Sequence, residues 1–233
     1  MDTRNNPIII DGRNGSRNNG TQTFGRTRSA SSLLSQVLVI TSVGFFTSAV
    51  GVYLAPLSAP AGMFWLYLIV TFGLIFAIRA ARNTPALAFG LFLVLALVMG
   101  FEISPYINML LHTGHSNAVF NAALTTAVGM AVLGMGAQIF TFDYHRVRNY
   151  AFAALLGLVI LGILSAFFHF LSPNVYSYLT LAIFSVLVVV DFKRVHNGGD
   201  GATAVELALS IYLDGLNIFL ALTQIFSGSS RRN

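Results

Sequence analysis

The chain of 233 residues has no cysteine. That excludes disulfides, zinc–thiolate sites, iron–sulfur clusters and thiol nucleophiles. Charge is also scarce. Asp, Glu, Lys and Arg together make up 9% of the residues, against roughly 25% in a typical soluble domain, which is too little to coat a surface facing water. A disordered chain, a coiled coil and a soluble enzyme are all poor fits to this composition. No GxSxG, HExxH or P-loop sequence is present. What fills the chain is apolar: 55% of it is hydrophobic, and the mean hydropathy is +0.74. One spanning helix needs about 20 mostly apolar residues, so seven would need roughly 140, and the chain has room for them.

Three regions follow from the distribution of polar residues. Residues 1–30 are rich in Asn, Gly, Ser, Thr and Arg, with Arg4, Arg13, Arg17, Arg26 and Arg28 against Asp2 and Asp11. They read as a disordered, mildly basic tail. An organellar transit peptide is the rival reading, and the two aspartates count against it. Residues 31–228 carry seven apolar runs: Leu33–Leu54, Gly62–Ile78, Pro85–Phe101, Asn117–Thr141, Tyr150–Leu171, Pro173–Val190 and Thr203–Phe226. Pro56 and Pro60 follow the first run. The third and sixth runs are short for a span unless their polar ends lie against protein or in the interface. Residues 229–233 form a short C-terminal tail. The expected fold is all-α and integral to the membrane, with seven transmembrane helices.

The basic residues orient this bundle. All 13 lie in the tail, the 2–3, 4–5 and 6–7 connections or the C-terminus, and the other three connections hold none. Lys and Arg concentrate in cytoplasmic loops, which places the N-terminus in the cytoplasm. Arg231 and Arg232, on the opposite side by parity, dissent mildly.

Acidic residues inside apolar runs carry the functional signal. A charge at the bilayer centre costs roughly 2.5–3.5 kcal/mol on insertion scales, so such residues face the bundle interior and mark pathways or relays. In the last run Glu206, Ser210, Asp214, Asn217 and Gln224 fall on one helical face, with apolar residues covering the rest. A helix apolar almost all round with one polar seam belongs at the centre of a bundle. The seam serves either as a pore lining or as glue between helices. Glu206 also fits a capping box opened by Thr203. Asp191 precedes Asp214 across the Gly198-Gly199-Asp200-Gly201 turn, and folding about that turn lets the two face each other. The alternative is an interfacial carboxylate balanced by Lys193 and Arg194. Paired carboxylates cannot both ionise cheaply and titrate as one unit, which makes a proton-sensitive lock. Their oxygens also suit a hard cation such as Ca²⁺. Arg79 and Arg82 close the second run, either as topology markers or as a latch on an ionised carboxylate. Glu102 lines an outer vestibule or sits in the interface. His112 and His115 have no further ligand nearby, and His169 is expected to hydrogen-bond within the bundle. Gly129, Gly134 and Gly136 are expected to let the fourth helix pack closely.

The stretch Ser210-Ile211-Tyr212-Leu213-Asp214-Gly215-Leu216-Asn217-Ile218-Phe219-Leu220, with Gln224-Ile225, resembles the last-helix signature of the transmembrane Bax inhibitor motif family, in its bacterial form. Ala81-Arg82-Asn83, Gly100 with Ser104-Pro105 and Asn108-Met109, and Gly198-Gly199 add to the resemblance, which covers about residues 31–228. It implies seven helices with the last one central, and a pH-sensitive Ca²⁺ leak. In that picture Asp191 and Asp214 sense protons, and Arg82, rather than Arg79, is the latch. Asp191-Phe192-Lys193 departs from the more polar stretch that many members carry there. Some bacterial relatives lack the first aspartate and instead modulate a membrane-anchored AAA protease.

The leading expectation is a pH-gated calcium leak in a bacterial inner membrane, with the mitochondrial inner membrane as the alternative. The rival is a non-conducting regulator that contacts a membrane protease or a stress or cell-death pathway through the basic tail. An intramembrane aspartyl protease would need Gly-x-Gly-Asp, where this chain has Tyr212-Leu213-Asp214-Gly215, and Pro85-Ala86-Leu87 comes before both aspartates. An enzyme is therefore not expected. Neither is a cofactor, nor any nucleic-acid partner; Ca²⁺ enters as cargo.

Overall fold

The computed structural model describes residues 18–55 and 63–230, and of residues 18–30, 64, 229 and 230 the backbone alone. Its regular elements are α1 Asn18–Leu54, α2 Met63–Ala80, α3 Pro85–His112, α4 Ser116–Ile139, α5 Tyr144–Phe168, α6 Pro173–His196 and α7 Ala204–Ser230. Short 3₁₀ turns, Ala81–Asn83 and Gly199–Gly201, join α2 to α3 and α6 to α7. There are no strands among the described residues. All seven α-helices are long and apolar enough to cross a membrane.

Local chemistry sets the boundaries. Asp143 caps α5 by accepting from the His145 and Arg146 amides, and Ser172 caps α6 by accepting from the Val175 amide. Pro85 and Pro173 occupy first-turn positions, where a missing N–H costs nothing. The third and sixth helices outrun their apolar stretches. α3 continues through Glu102 and Pro105 to His112, and α6 continues through Asp191 to His196. Two polar residues in these extensions face protein: Ser104 and Asp191 are buried. α1 begins at Asn18, inside the stretch read as tail, with no proline to stop it before Leu54. Residues 1–17 of that tail, Pro56 and Pro60, and Arg231 and Arg232 lie outside the described residues.

α7 is the central helix. Of its spanning stretch 67% is buried, against 39% for α6 and 6% for α2. It packs on α1, α3, α4 and α6 and touches α2. Leu207, Ile211 and Ile218 face one core with Val37, Ala122 and Val188. Leu209, Tyr212 and Leu216 face a second core with Ile78, Phe92 and Leu95.

Lipid tails are as apolar as Leu, so close approach and hydrogen bonds must hold such helices together. α1 and α3 cross at Gly51 and Gly100, where a Cβ on Gly51 would lie 2.6 Å from the Leu97 carbonyl oxygen. Beside that crossing Ser48 Oγ donates to the Ala96 carbonyl at 2.9 Å and lies 2.6 Å from Tyr212 Oη, tying α1 to α3 and α7. The fourth-helix expectation needs correcting. Only Gly134 meets a neighbour closely, the Phe192 ring at 3.2 Å from a built Cβ, while Gly129 has nothing within 4 Å and Gly136 only an ordinary contact with Phe140.

Hydrogen bonds link the 2–3, 4–5 and 6–7 connections at one end of the bundle. This is the basic end.

Candidate functional site

Asp191 and Asp214 meet. Asp191 lies in the last turns of α6 and is 6% exposed; Asp214 lies midway along α7 and is 7% exposed. Their carboxyl groups are within hydrogen-bonding reach of each other, and Asp191 is also within reach of Ser210, one turn before Asp214. Asp214 Oδ2 is buried with no hydrogen-bond partner among the described residues. A hydrogen bond between two carboxyl groups requires a proton on one of them, and two bare charges side by side out of water are costly. The extension of α6 to His196 brings the two into register: Asp191 then sits inside a helix rather than at its end.

The two cations that follow Asp191 in the sequence make their contacts elsewhere. Lys193 Nζ donates to the Phe140 carbonyl at 2.9 Å, and Arg194 Nε lies 3.5 Å from Asp200 Oδ2. Asp191 is thus buried rather than interfacial, and among the described residues neither Lys193 nor Arg194 forms an ion pair with it. Arg194 and Arg148 are the positive charges whose field reaches Asp191.

The arginines read as a latch do not touch the pair. Arg79 is exposed, and Arg82 Nη2 donates to the Gly201 carbonyl oxygen at 2.8 Å. Arg82 thus fastens the 6–7 turn rather than a carboxylate. A second fastening was not anticipated from the sequence. Asp200, at φ 51° among Gly198, Gly199 and Gly201, all with positive φ, accepts from Tyr144 Oη at 2.7 Å and faces Arg194. Tyr144 is buried at the start of α5. The available signal was an acid framed by three glycines in a chain poor in acids.

The polar seam divides by role. Glu206 forms the capping box: the Thr203 amide donates to Glu206 Oε2 at 2.7 Å, and the Glu206 amide donates to Thr203 Oγ1 at 3.2 Å. Its place in a pore lining is corrected accordingly, because the carboxylate is committed to the helix start. Asn217 Nδ2 donates to the Leu213 carbonyl at 2.8 Å, and Gln224 Oε1 accepts from Ser177 Oγ at 3.0 Å. Asn217, Gln224 and Glu102 line a cavity of about 370 Å³ between α3, α6 and α7, in the half of the bundle away from the basic end. Glu102 Oε2 is buried there with no hydrogen-bond partner among the described residues. Asn217 stands three residues beyond Asp214, about 4.5 Å along the axis, so the cavity floor approaches the pair.

No group of three His, Cys, Asp or Glu is placed to hold a metal among the described residues. His169 is exposed and ends α5 in a left-handed conformation at φ 52°, instead of bonding within the bundle.

A family model described as "Inhibitor of apoptosis-promoting Bax1" matches residues 30–232. No curated protein sequence matches the chain significantly.

Proposed function

From the premise that the chain belongs to the Bax inhibitor family, we propose that it is an integral membrane protein that passes Ca²⁺ down its gradient under proton control. The observation that carries this reading is the meeting of Asp191 and Asp214 away from water. The ion enters the cavity lined by Glu102, Asn217 and Gln224 and descends past Asn217 to the pair. The 6–7 turn, fastened by Arg82 and Asp200, closes the basic end below it. With a proton between them, the two carboxyls hold α6 against α7. Removing that proton leaves two negative charges that repel each other or gather a cation, and oxygen ligands of this kind suit Ca²⁺. Protons and calcium then compete for the same atoms, so occupancy by calcium falls as the medium becomes more acidic.

The basic end faces the cytoplasm by the positive-inside rule. The membrane is the bacterial inner membrane, with the mitochondrial inner membrane as the alternative. No step calls for catalysis.

The test is reconstitution into vesicles loaded with a calcium dye. Flux should vary with pH in the wild type, and Asp214→Asn should flatten that dependence. Flux equal to that of protein-free vesicles at every pH sinks the reading. A second reading, a non-conducting regulator of a membrane-anchored AAA protease or a stress pathway, is favoured by the arginine-rich N-terminal segment. Deleting residues 1–30 separates the two, because a leak survives the deletion and a docking function does not.

A further inference from the structure

The cavity between α3, α6 and α7 has walls more specific than an ion vestibule needs. Its volume of about 370 Å³ falls within the range of small-molecule sites, roughly 300–1,000 Å³. Among the described residues Glu102 is its only carboxylate, and one oxygen of that group is buried with no partner among them. Tyr106 and Tyr176 add aromatic rings, and Ile103, Leu220 and Ala221 add apolar surface.

Three of the lining's hydrogen-bond donors are already directed elsewhere. Ser177 Oγ shares its one proton between the Pro173 carbonyl and Gln224 Oε1, Thr180 Oγ1 donates to the Tyr176 carbonyl, and Asn217 Nδ2 to the Leu213 carbonyl. What remains is the Glu102 carboxyl group, aromatic surface with the Tyr106 and Tyr176 hydroxyls, and the Gln224 amide N–H groups, which can meet a hydroxyl on the guest. An anion finds no cation in the lining. Ca²⁺ wants six to eight oxygens, usually from several carboxylates, and one carboxylate among apolar walls does not supply them, so calcium passes through this cavity with its water rather than lodging there. A monovalent cation with an apolar body fits better: its charge meets Glu102 and the tyrosine rings, and its alkyl groups meet Ile103 and Leu220.

We propose that this cavity is a binding site for a small organic ammonium ion, quaternary or alkylated, held by Glu102 between Tyr106 and Tyr176. The site does not depend on calcium conduction, and binding is read without any flux measurement. Either idea can therefore fail while the other stands.

The probe is choline, titrated calorimetrically into the purified full-length protein in lipid nanodiscs, alongside dimethylbutanol, its uncharged carbon isostere. Saturable choline binding is expected, with no saturable binding of the alcohol. Glu102→Gln should weaken choline by roughly tenfold or more, as loss of a charge-assisted contact implies. Absence of saturable choline binding to the wild type overturns the proposal. Equal affinity for the alcohol overturns it as well, and that comparison needs no variant. So does a folded Glu102→Gln protein that binds choline as tightly as the wild type.

Discussion

The fastening of the 6–7 turn is open to a quantitative test. Tyr144 Oη donates to Asp200 Oδ1 at 2.7 Å, and hydrogen bonds to charged groups contribute about 1.5–3 kcal/mol. Asp200 keeps 30% of its side-chain exposure, so water takes up part of the loss, and Tyr144→Phe should cost about 1–2 kcal/mol. The Arg194 pair, longer and part-exposed, adds roughly 0.5 kcal/mol. Asp200→Asn retains a residue that tolerates the left-handed conformation and removes only the charge. A double-mutant cycle of Tyr144→Phe with Asp200→Asn, followed by denaturant unfolding in mixed micelles, should give a coupling of about 1 kcal/mol or more. If the turn also closes the path, each single variant should raise calcium flux several-fold at fixed pH, up to about tenfold for 1.4 kcal/mol. Additivity within about 0.3 kcal/mol would refute the coupling. Lowered stability with unchanged flux would make the turn a purely structural fastening.

Three further outcomes follow from the geometry. Gly100→Ala drives a methyl group into α1 backbone at Ser48 and Gly51; overpacking of this kind costs about 1–3 kcal/mol, so the melting temperature should fall, whereas Gly129→Ala, with open space around it, should leave it unchanged. Glu206→Ala removes half of the capping box and should cost about 1 kcal/mol in the same unfolding assay, with the shape of the pH–flux curve retained; a flattened curve would return Glu206 to the pathway. Arg82→Gln weakens the hold on the Gly201 carbonyl and should raise flux without shifting its pH dependence, which separates it from the aspartate variants.

The seven helices and the central place of α7 were legible because both rest on hydropathy and on one periodic seam. Spacing about a glycine turn also suggested that Asp191 and Asp214 could meet, but not their depth: that depended on α6 running past its apolar stretch, and polar residues buried against protein look like helix ends in a sequence. The contact of Arg82 was half legible. Position alone put Arg82 at the correct level of the bundle, while its acceptor is a backbone carbonyl, a group no side-chain pattern reveals. Gly51 and Gly100 escaped for a similar reason. Close approach depends on which helix lies opposite, so the fourth-helix glycines drew the attention although only Gly134 meets a neighbour closely. Asp200 was visible as a turn residue, but its partner Tyr144 lies 56 positions away.

Whether one hydrogen ion is shared by the two buried acids can be read directly by infrared difference spectroscopy. The protein in lipid nanodiscs should show, at neutral pH, the stretch of a protonated carboxyl group that disappears in the Asp191→Asn/Asp214→Asn double variant. An identical carboxyl region in the wild type and the double variant would contradict the account.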